Sequence, residues 1–340
     1  MGRAHGAQAG ERIRGFIDYL GASLKLSRES LRKRAARFRP LFGRHCPHLL
    51  EESAGLAEGA GIDPLEGLAV QLRGELAGVS DEGCTAFVVS RDATADGGTL
   101  IGQNSDTPAE LMQYAYVLRL APDDRPRILM WTFGGMLGYH GLNEYGVAHF
   151  ANALGGGPEW KFALSHYPLK RMMLEQRNLM GARRLLREVP VCSNGNYVLC
   201  DGNGEIADVE LTTAGPIELL DDGTGVIAHS NHYLCGAHAC AANFSRSLPD
   251  SFPRLERMRQ LLGARGRLSV EDLKTILSDH EGHPTGICRH PHDGPDDPVL
   301  PASGRTIASL IAEPDRGRLH VALGNPCEGE YVMYELREEL

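Results

Sequence analysis

Residues 81–106 read DEGCTAFVVSRDATADGGTLIGQNSD, and the fold turns on how this stretch is taken. Phe87-Val88-Val89 and Thr99-Leu100-Ile101 flank Asp96-Gly97-Gly98, which predicts two antiparallel strands joined at a turn. Cys84 heads the first strand, behind an Asp-Glu-Gly run, and the second strand ends in Asn104 and Asp106. A nucleophile would use such a setting. Read alone, Cys84 fits an ordinary buried strand cysteine better, because free cysteine is among the most buried residue types.

Upstream of this stretch the hydrophobic period is helical. Ile13, Phe16, Ile17, Leu20 and Leu24 form one apolar stripe, and a second helix is expected from Leu49 to Glu58, stopping at Gly59-Ala60-Gly61. Asp63, Pro64 and Glu66 supply an N-cap acid, a proline at the first helical position and a capping-box acid. Downstream, strands are expected at 116–120, 128–132, 147–152, 197–201, 206–211, 306–312, 319–323 and 331–336. Helices are expected at 168–177, 180–188, 252–262 and 270–278, the last opened by Ser269 with Asp272 three residues on. Many antiparallel strands with helices in separate blocks predict an α+β layered fold. No GxGxxG follows a strand and no P-loop is present, so no nucleotide cradle is expected.

The chain of 340 residues is 42% hydrophobic and carries a formal charge of −9, which argues against a nucleic-acid partner. Its local basic run (Arg32, Lys33, Arg34, Arg37, Arg39) recurs at helical spacing and reads as a solvated helix face. The first residues lack the apolar core of a signal peptide and no run reaches membrane-spanning length, so a cytoplasmic protein without a membrane partner is expected. In that setting the eight cysteines are expected to be reduced.

A break between Gly83 and Cys84 would put a thiol and an α-amine on one residue. A free α-amino group titrates at about 7.7 to 8.0, so near neutral pH a useful fraction can take the thiol proton. The cleavage can be self-inflicted, by attack of the Cys84 thiol on the Gly83 carbonyl and hydrolysis of the resulting ester. Glycine permits the unusual backbone geometry this needs.

Beyond the opening stretch, LLEESAGLAEGAGIDPLEGLAVQLRGEL (49–76), EGCTAF, GQNSD, GLNEYGVAHFANAL, HSNHY, DHEGHPTGICRH and ALGNPCEGEYVMYEL follow in order. Together, from about residue 12 to 336, they resemble the penicillin acyltransferase (acyl-coenzyme A:6-aminopenicillanic acid acyltransferase) family of N-terminal-nucleophile hydrolases. The resemblance implies a four-layer αββα sandwich matured by cleavage before Cys84. Residues 1–83 would then be a helical prosegment that becomes the small subunit, and 84–340 the catalytic large subunit, the two staying associated. It also implies that Cys84 is the nucleophile and that Asp106 contacts its α-amine. Asn152 and Asn231 would line the oxyanion site, and Arg289 would be the cation near the nucleophile. One departure is Gln103, where the bile-salt-hydrolase branch carries arginine, and it argues against bile-salt hydrolysis.

The implied reaction makes or breaks an amide through a Cys84 thioester, with a small-molecule amide or acyl donor and an amine as partners. No cofactor is implied; acyl-coenzyme A fits as a donor substrate. A papain-like hydrolase with a histidine base, or an inactive binding homologue, stands as the alternative. Histidines and cysteines crowd at His229, His232, Cys235, His238 and Cys240, and again at His280, His283, His290 and His292. Their spacings match no standard zinc finger or ribbon and HExxH is absent, so no metal site is expected. Instead these histidines are expected in a cleft or surface loop, and 291–304 as a mobile loop near the site. Met172, Met173 and Met180 read as core, while Trp131, Phe133, Tyr139 and Trp160 are candidates for an acyl pocket or for plain packing.

Overall fold

The apolar run after Cys84 is a strand buried along its whole length, β1 (Gly83–Val89). It pairs antiparallel with β2 (Leu100–Thr107) on one side and with β10 (Val226–His229) on the other. These findings come from a computed structural model that describes residues 1–77, 83–236, 250–294 and 304–337.

Two antiparallel sheets form the centre. The first has the order β10-β1-β2-β11-β12-β13, with β11 (Arg305–Glu313), β12 (Arg318–Leu323) and β13 (Val332–Glu335). The second runs β3-β4-β5-β6-β7-β8-β9. Its strands are β3 (Ala115–Leu120), β4 (Ile128–Phe133), β5 (His140–Asn143), β6 (Ala148–Ala153), β7 (Gly195–Cys200), β8 (Ile206–Thr212) and β9 (Gly215–Leu219).

Alternation along β1 sorts its side chains between two cores. Phe87 and Val89 join Leu100 and Ile311 beneath Leu255, Met258, Leu273 and Ile276, which belong to helices α10 (Ser251–Gly263) and α11 (Val270–Leu277). Ala86 and Val88 join the second sheet's Leu129, Phe150 and Val198 between the sheets. Helices α8 (His166–Leu174) and α9 (Leu179–Glu188) cover the second sheet's outer side, where His149 meets the Lys170 carbonyl at 3.0 Å. The layers are therefore helix, sheet, sheet, helix.

Helices α1 to α7 occupy residues Gly2–Ala77 and pack onto the end of this sandwich. The predicted stripe is helix α2 (Gly10–Leu24), and its Phe16 meets Phe133 edge-on at 5.6 Å. Helix α5 (Pro47–Ala60) ends at Gly61 in the left-handed conformation, and α6 (Pro64–Val70) carries the expected capping box on Asp63 and Glu66. Helix α1 (Gly2–Gln8) lies backbone to backbone on α5. A Cβ at Gly6 would fall 2.1 Å from the Leu56 carbonyl oxygen, and one at Gly59 would fall 2.1 Å from that of Arg3.

The hairpin expectation holds for pairing but not for the turn. The connection from Val89 to Leu100 is longer and includes a short 3-10 turn at Arg91–Ala93, with Asp96-Gly97-Gly98 as its last bend. Met172 and Met173 are core, but Met180 is 72% exposed, on the outer side of α9. Trp131, Phe133 and Tyr139 pack on one another at 5.1 to 5.7 Å, whereas Trp160 is half exposed. Among the described residues, no helix is long and apolar enough to cross a membrane.

Candidate active site

Register places the site. Gly83 lies opposite Asp106 and Cys84 opposite Ser105, so the predicted acid and the predicted scissile residue face each other across one ladder step. Cys84 is 3% exposed, and Gln103 Nε2 lies 3.8 Å from its Sγ while Gln103 Oε1 accepts from the Ala151 N–H of the second sheet. The thiol thus points into the space between the sheets, and Gln103 links it to β6.

Three side chains hold the Cys84 backbone. Its N–H donates to Asn231 Oδ1 at 2.9 Å, and its carbonyl accepts from Asn152 Nδ2 at 3.1 Å and from Arg254 Nη1 at 2.8 Å. Both asparagines singled out in the sequence therefore touch Cys84. Asn231 presents its oxygen to Cys84 and donates its amide to the Ala153 carbonyl at 3.1 Å.

On the other face of β1 lies a buried charge network. Arg254, fully buried on α10, donates to Asp250 at 2.9 Å, to Thr85 Oγ1 at 2.8 Å and to Asn231 Oδ1 at 2.8 Å. Arg289 also pairs with Asp250. Asp106 Oδ1 accepts from Thr306 Oγ1 at 2.7 Å, and that hydroxyl accepts from the Arg289 N–H at 3.0 Å. A Cβ at Gly83 would meet Arg289 Nη1 at 3.2 Å and Asp106 Oδ2 at 3.3 Å, so only glycine leaves both neighbours undisturbed.

These surroundings set the protonation. Burial, helped by the Asp106 carboxylate, pushes the Cys84 thiol up to about 12, with Arg254 opposing. Burial also raises Asp106, against the pull of Arg289 and Arg254. Burial opposes ionisation of Asp250 as well, yet Arg254 and Arg289 together hold its carboxyl below the usual carboxylate range. With the Gly83–Cys84 peptide intact, the Cys84 nitrogen is an amide and the thiol stays protonated.

Sequence reasoning missed Arg254, Asp250 and Lys170. Lys170 is 8% exposed, with its Nζ 4.5 Å from the centre of the Tyr139 ring and 5.4 Å from that of Tyr167. Burial lowers it to about 8, against the attraction of Cys84. In the sequence, Lys170 is one polar residue in HYPLKRMML and Arg254 one of several arginines on an amphipathic helix. Neither has a local signal.

The crowded histidines divide. His229 pairs with Glu210 at 3.3 Å, and His232 stacks on Phe252. His238, Cys240 and most of the 291–304 loop lie outside the described residues. Against expectation, His280 and His290 converge with Cys288 and Cys327. Among the described residues, no histidine is hydrogen-bonded to Cys84 Sγ, as a papain-like arrangement would need.

A family model described as acyl-coenzyme A:6-aminopenicillanic acid acyl-transferase matches residues 93–328. The chain belongs to this acyltransferase family. It is accordingly an enzyme of the class that makes or breaks C–N amide bonds. The chain is 26% identical over 334 residues to the 40 kDa form of acyl-coenzyme A:6-aminopenicillanic-acid-acyltransferase of Emericella nidulans, covering 96% of this chain and 90% of that one. Two solved structures share the fold at 12% identity. A mutant of the conjugated bile acid hydrolase from Clostridium perfringens has a TM-score of 0.51, covering 74% of this chain and 96% of that one. Penicillin V acylase from Agrobacterium tumefaciens has a TM-score of 0.52, covering 71% and 83%. The αββα sandwich of this chain is thus the N-terminal-nucleophile hydrolase fold.

Proposed function

We propose that this family member is a self-processing amidohydrolase or N-acyltransferase working through a Cys84 thioester. In maturation the Cys84 thiol adds to the Gly83 carbonyl and the Gly83–Cys84 C–N bond breaks. The ester so formed on Sγ is hydrolysed, leaving a Gly83 carboxylate and a free Cys84 amine. In turnover that amine takes the thiol proton, and the thiolate attacks the substrate carbonyl. The leaving group, an amine from an amide donor or the coenzyme A thiol from an acyl-coenzyme A donor, departs with the proton, and water or an acceptor amine takes the acyl group from sulfur.

The observation that carries this reading is the threefold hold on the Cys84 backbone by Asn231, Asn152 and Arg254. It fixes the nitrogen that would become the base beside the sulfur that would attack. Asn152 supplies an amide donor for the developing oxyanion. Asn231, with its oxygen on the Cys84 nitrogen, is better suited to orient the amine than to the oxyanion part its motif implies. Asp106 and Arg289 hold the charge around the new terminus. Residues 1–83 stay docked after cleavage, because Gln71 bonds Leu137 and Gly135 and Glu52 pairs with the buried Arg171.

The substrates are a small-molecule amide or acyl-coenzyme A donor and, for transfer, an amine acceptor. The test is to incubate the enzyme with an acyl-coenzyme A panel and N-acyl amides, quench in acid and map the adduct. An acyl group on the peptide beginning at Cys84, removed by neutral hydroxylamine, is the expected result. Turnover with no adduct there, even under rapid quench, and unchanged by Cys84→Ala, would overturn the reading.

A further inference from the structure

A second cluster, separate from Cys84, lies where the loop before β11 meets the turn after β12. One imidazole nitrogen each of His280 and His290 and the sulfurs of Cys288 and Cys327 all lie within 4.8 Å of one another. The sulfurs are 3.7 Å apart and the nitrogens 3.1 Å. His290 Nε2 is 3.5 Å from Cys288 Sγ and 3.2 Å from Cys327 Sγ. A tetrahedral zinc, with bonds of about 2.3 Å to sulfur and about 2.0 Å to nitrogen, needs edges of about 3.8, 3.3 and 3.5 Å for the S–S, N–N and N–S pairs. Each of these four distances falls within a few tenths of an ångström of that figure.

We propose that His280, Cys288, His290 and Cys327 form a structural Cys2His2 zinc site. Two thiolates and two imidazoles are a ligand set that zinc takes and that magnesium or calcium does not. Four protein ligands leave no open position for substrate, which marks a structural centre. The surroundings match those of a metal site. His290 Nδ1 is 3.4 Å from Glu328 Oε1, so a proton on that nitrogen leaves Nε2 free for the metal. Asn325 Nδ2 lies 3.3 Å from Cys288 Sγ, where it can donate to a thiolate. On binding, the ion displaces one proton from each thiol and the imidazoles bind neutral, so two protons are released and nothing is oxidised or reduced. His280 and Cys327 are exposed, which gives the ion a way in.

The site has a consequence for the catalytic face. Two of its ligands, Cys288 and His290, flank Arg289. The Arg289 carbonyl already accepts from Asn325 Nδ2 at 2.6 Å and from the Thr306 N–H at 2.9 Å. Zinc would clamp this segment to the Asn325–Glu328 turn and hold the Arg289–Asp250 pair in place. Its action on the reaction is one of positioning.

The full chain purified from zinc-supplemented culture under reducing conditions is expected to hold about one zinc per chain by elemental mass spectrometry. Replacement by cobalt(II) is expected to give thiolate-to-metal charge transfer and the intense visible bands of tetrahedral coordination. Cys327→Ser, at an exposed position, should lower zinc occupancy at least tenfold with the circular dichroism spectrum unchanged, and His280→Ala likewise. Cys235→Ser should leave it intact. The proposal is overturned if the reduced protein holds less than about 0.1 zinc per chain and shows no cobalt spectrum, if Cys327→Ser binds zinc like the wild type, or if Cys288 and Cys327 are isolated as a disulfide from freshly lysed cells. These readouts do not depend on whether Cys84 is cleaved.

Discussion

Asp106 stands directly across the β1–β2 ladder from Gly83, with one carboxylate oxygen held by the Thr306 hydroxyl and the other 3.3 Å from where a Gly83 Cβ would be. A carboxylate so placed is positioned to receive positive charge at the amine that cleavage would create. Asp106→Asn preserves shape and removes the charge. Processing is expected to slow at least a hundredfold, in the range usual for loss of a positioned acid or base. A time course of chain cleavage on denaturing gels checks this, and wild-type cleavage speed would contradict it.

Gly83 supplies a second test from the same contacts. In Gly83→Ala the new methyl must push on both Arg289 and Asp106. The expected outcome is a folded chain, with stability within about 1–3 kcal/mol of the parent, the usual range for overpacking, but slowed cleavage. Thermal melts beside the same gels separate the two effects.

Arg254 is expected to be costly to remove. It bonds the Cys84 carbonyl, Thr85, Asn231 and Asp250 from a fully buried position. Arg254→Met leaves buried polar groups without their donor and should destabilise by about 3–5 kcal/mol, lowering Tm by roughly 5 °C for a chain of this size. Arg254→Lys keeps the charge but loses the planar fork, and should fall between the two. Both are measured on the Cys84→Ala chain, so that cleavage does not confuse the melts.

Lys170 gives a pH signature. Its folded value is lowered to about 8, against 10.5 for a free lysine. Between those pH values the unfolded chain binds a proton that the folded chain does not, so stability rises with pH across that window. Lys170→Met abolishes this term. On the Cys84→Ala chain, the stability of Lys170→Met relative to Lys170 should fall by about 3 kcal/mol between pH 8 and 10.5. Parallel urea-denaturation profiles would contradict it.

Much of this architecture could be read from local signals. The capping boxes at Asp63 and Ser269 start their helices as expected, because cap chemistry is complete within four residues. The strands that the sequence pattern does not reveal are short: β5 is HGLN, β9 is GPIEL and β10 is VIAH, too brief for a period to register. Cys84, Asp106, Asn152, Asn231 and Arg289 stand out through ordered motifs, and the fold brings them together. Arg254 and Lys170 were not, because their roles come from which helix face meets which sheet. The Cys288–Cys327 pairing was likewise hidden. Its ligands come from two loops 39 residues apart, a spacing outside the finger patterns, and only folding shows that they meet.

The most direct measurement is the intact mass of the purified full-length protein beside its Cys84→Ala form, under denaturing conditions. Two species ending at Gly83 and beginning at Cys84 are predicted for the wild type, and a single whole chain without activity for the variant. A wild-type chain that stays whole while fully active would contradict the account.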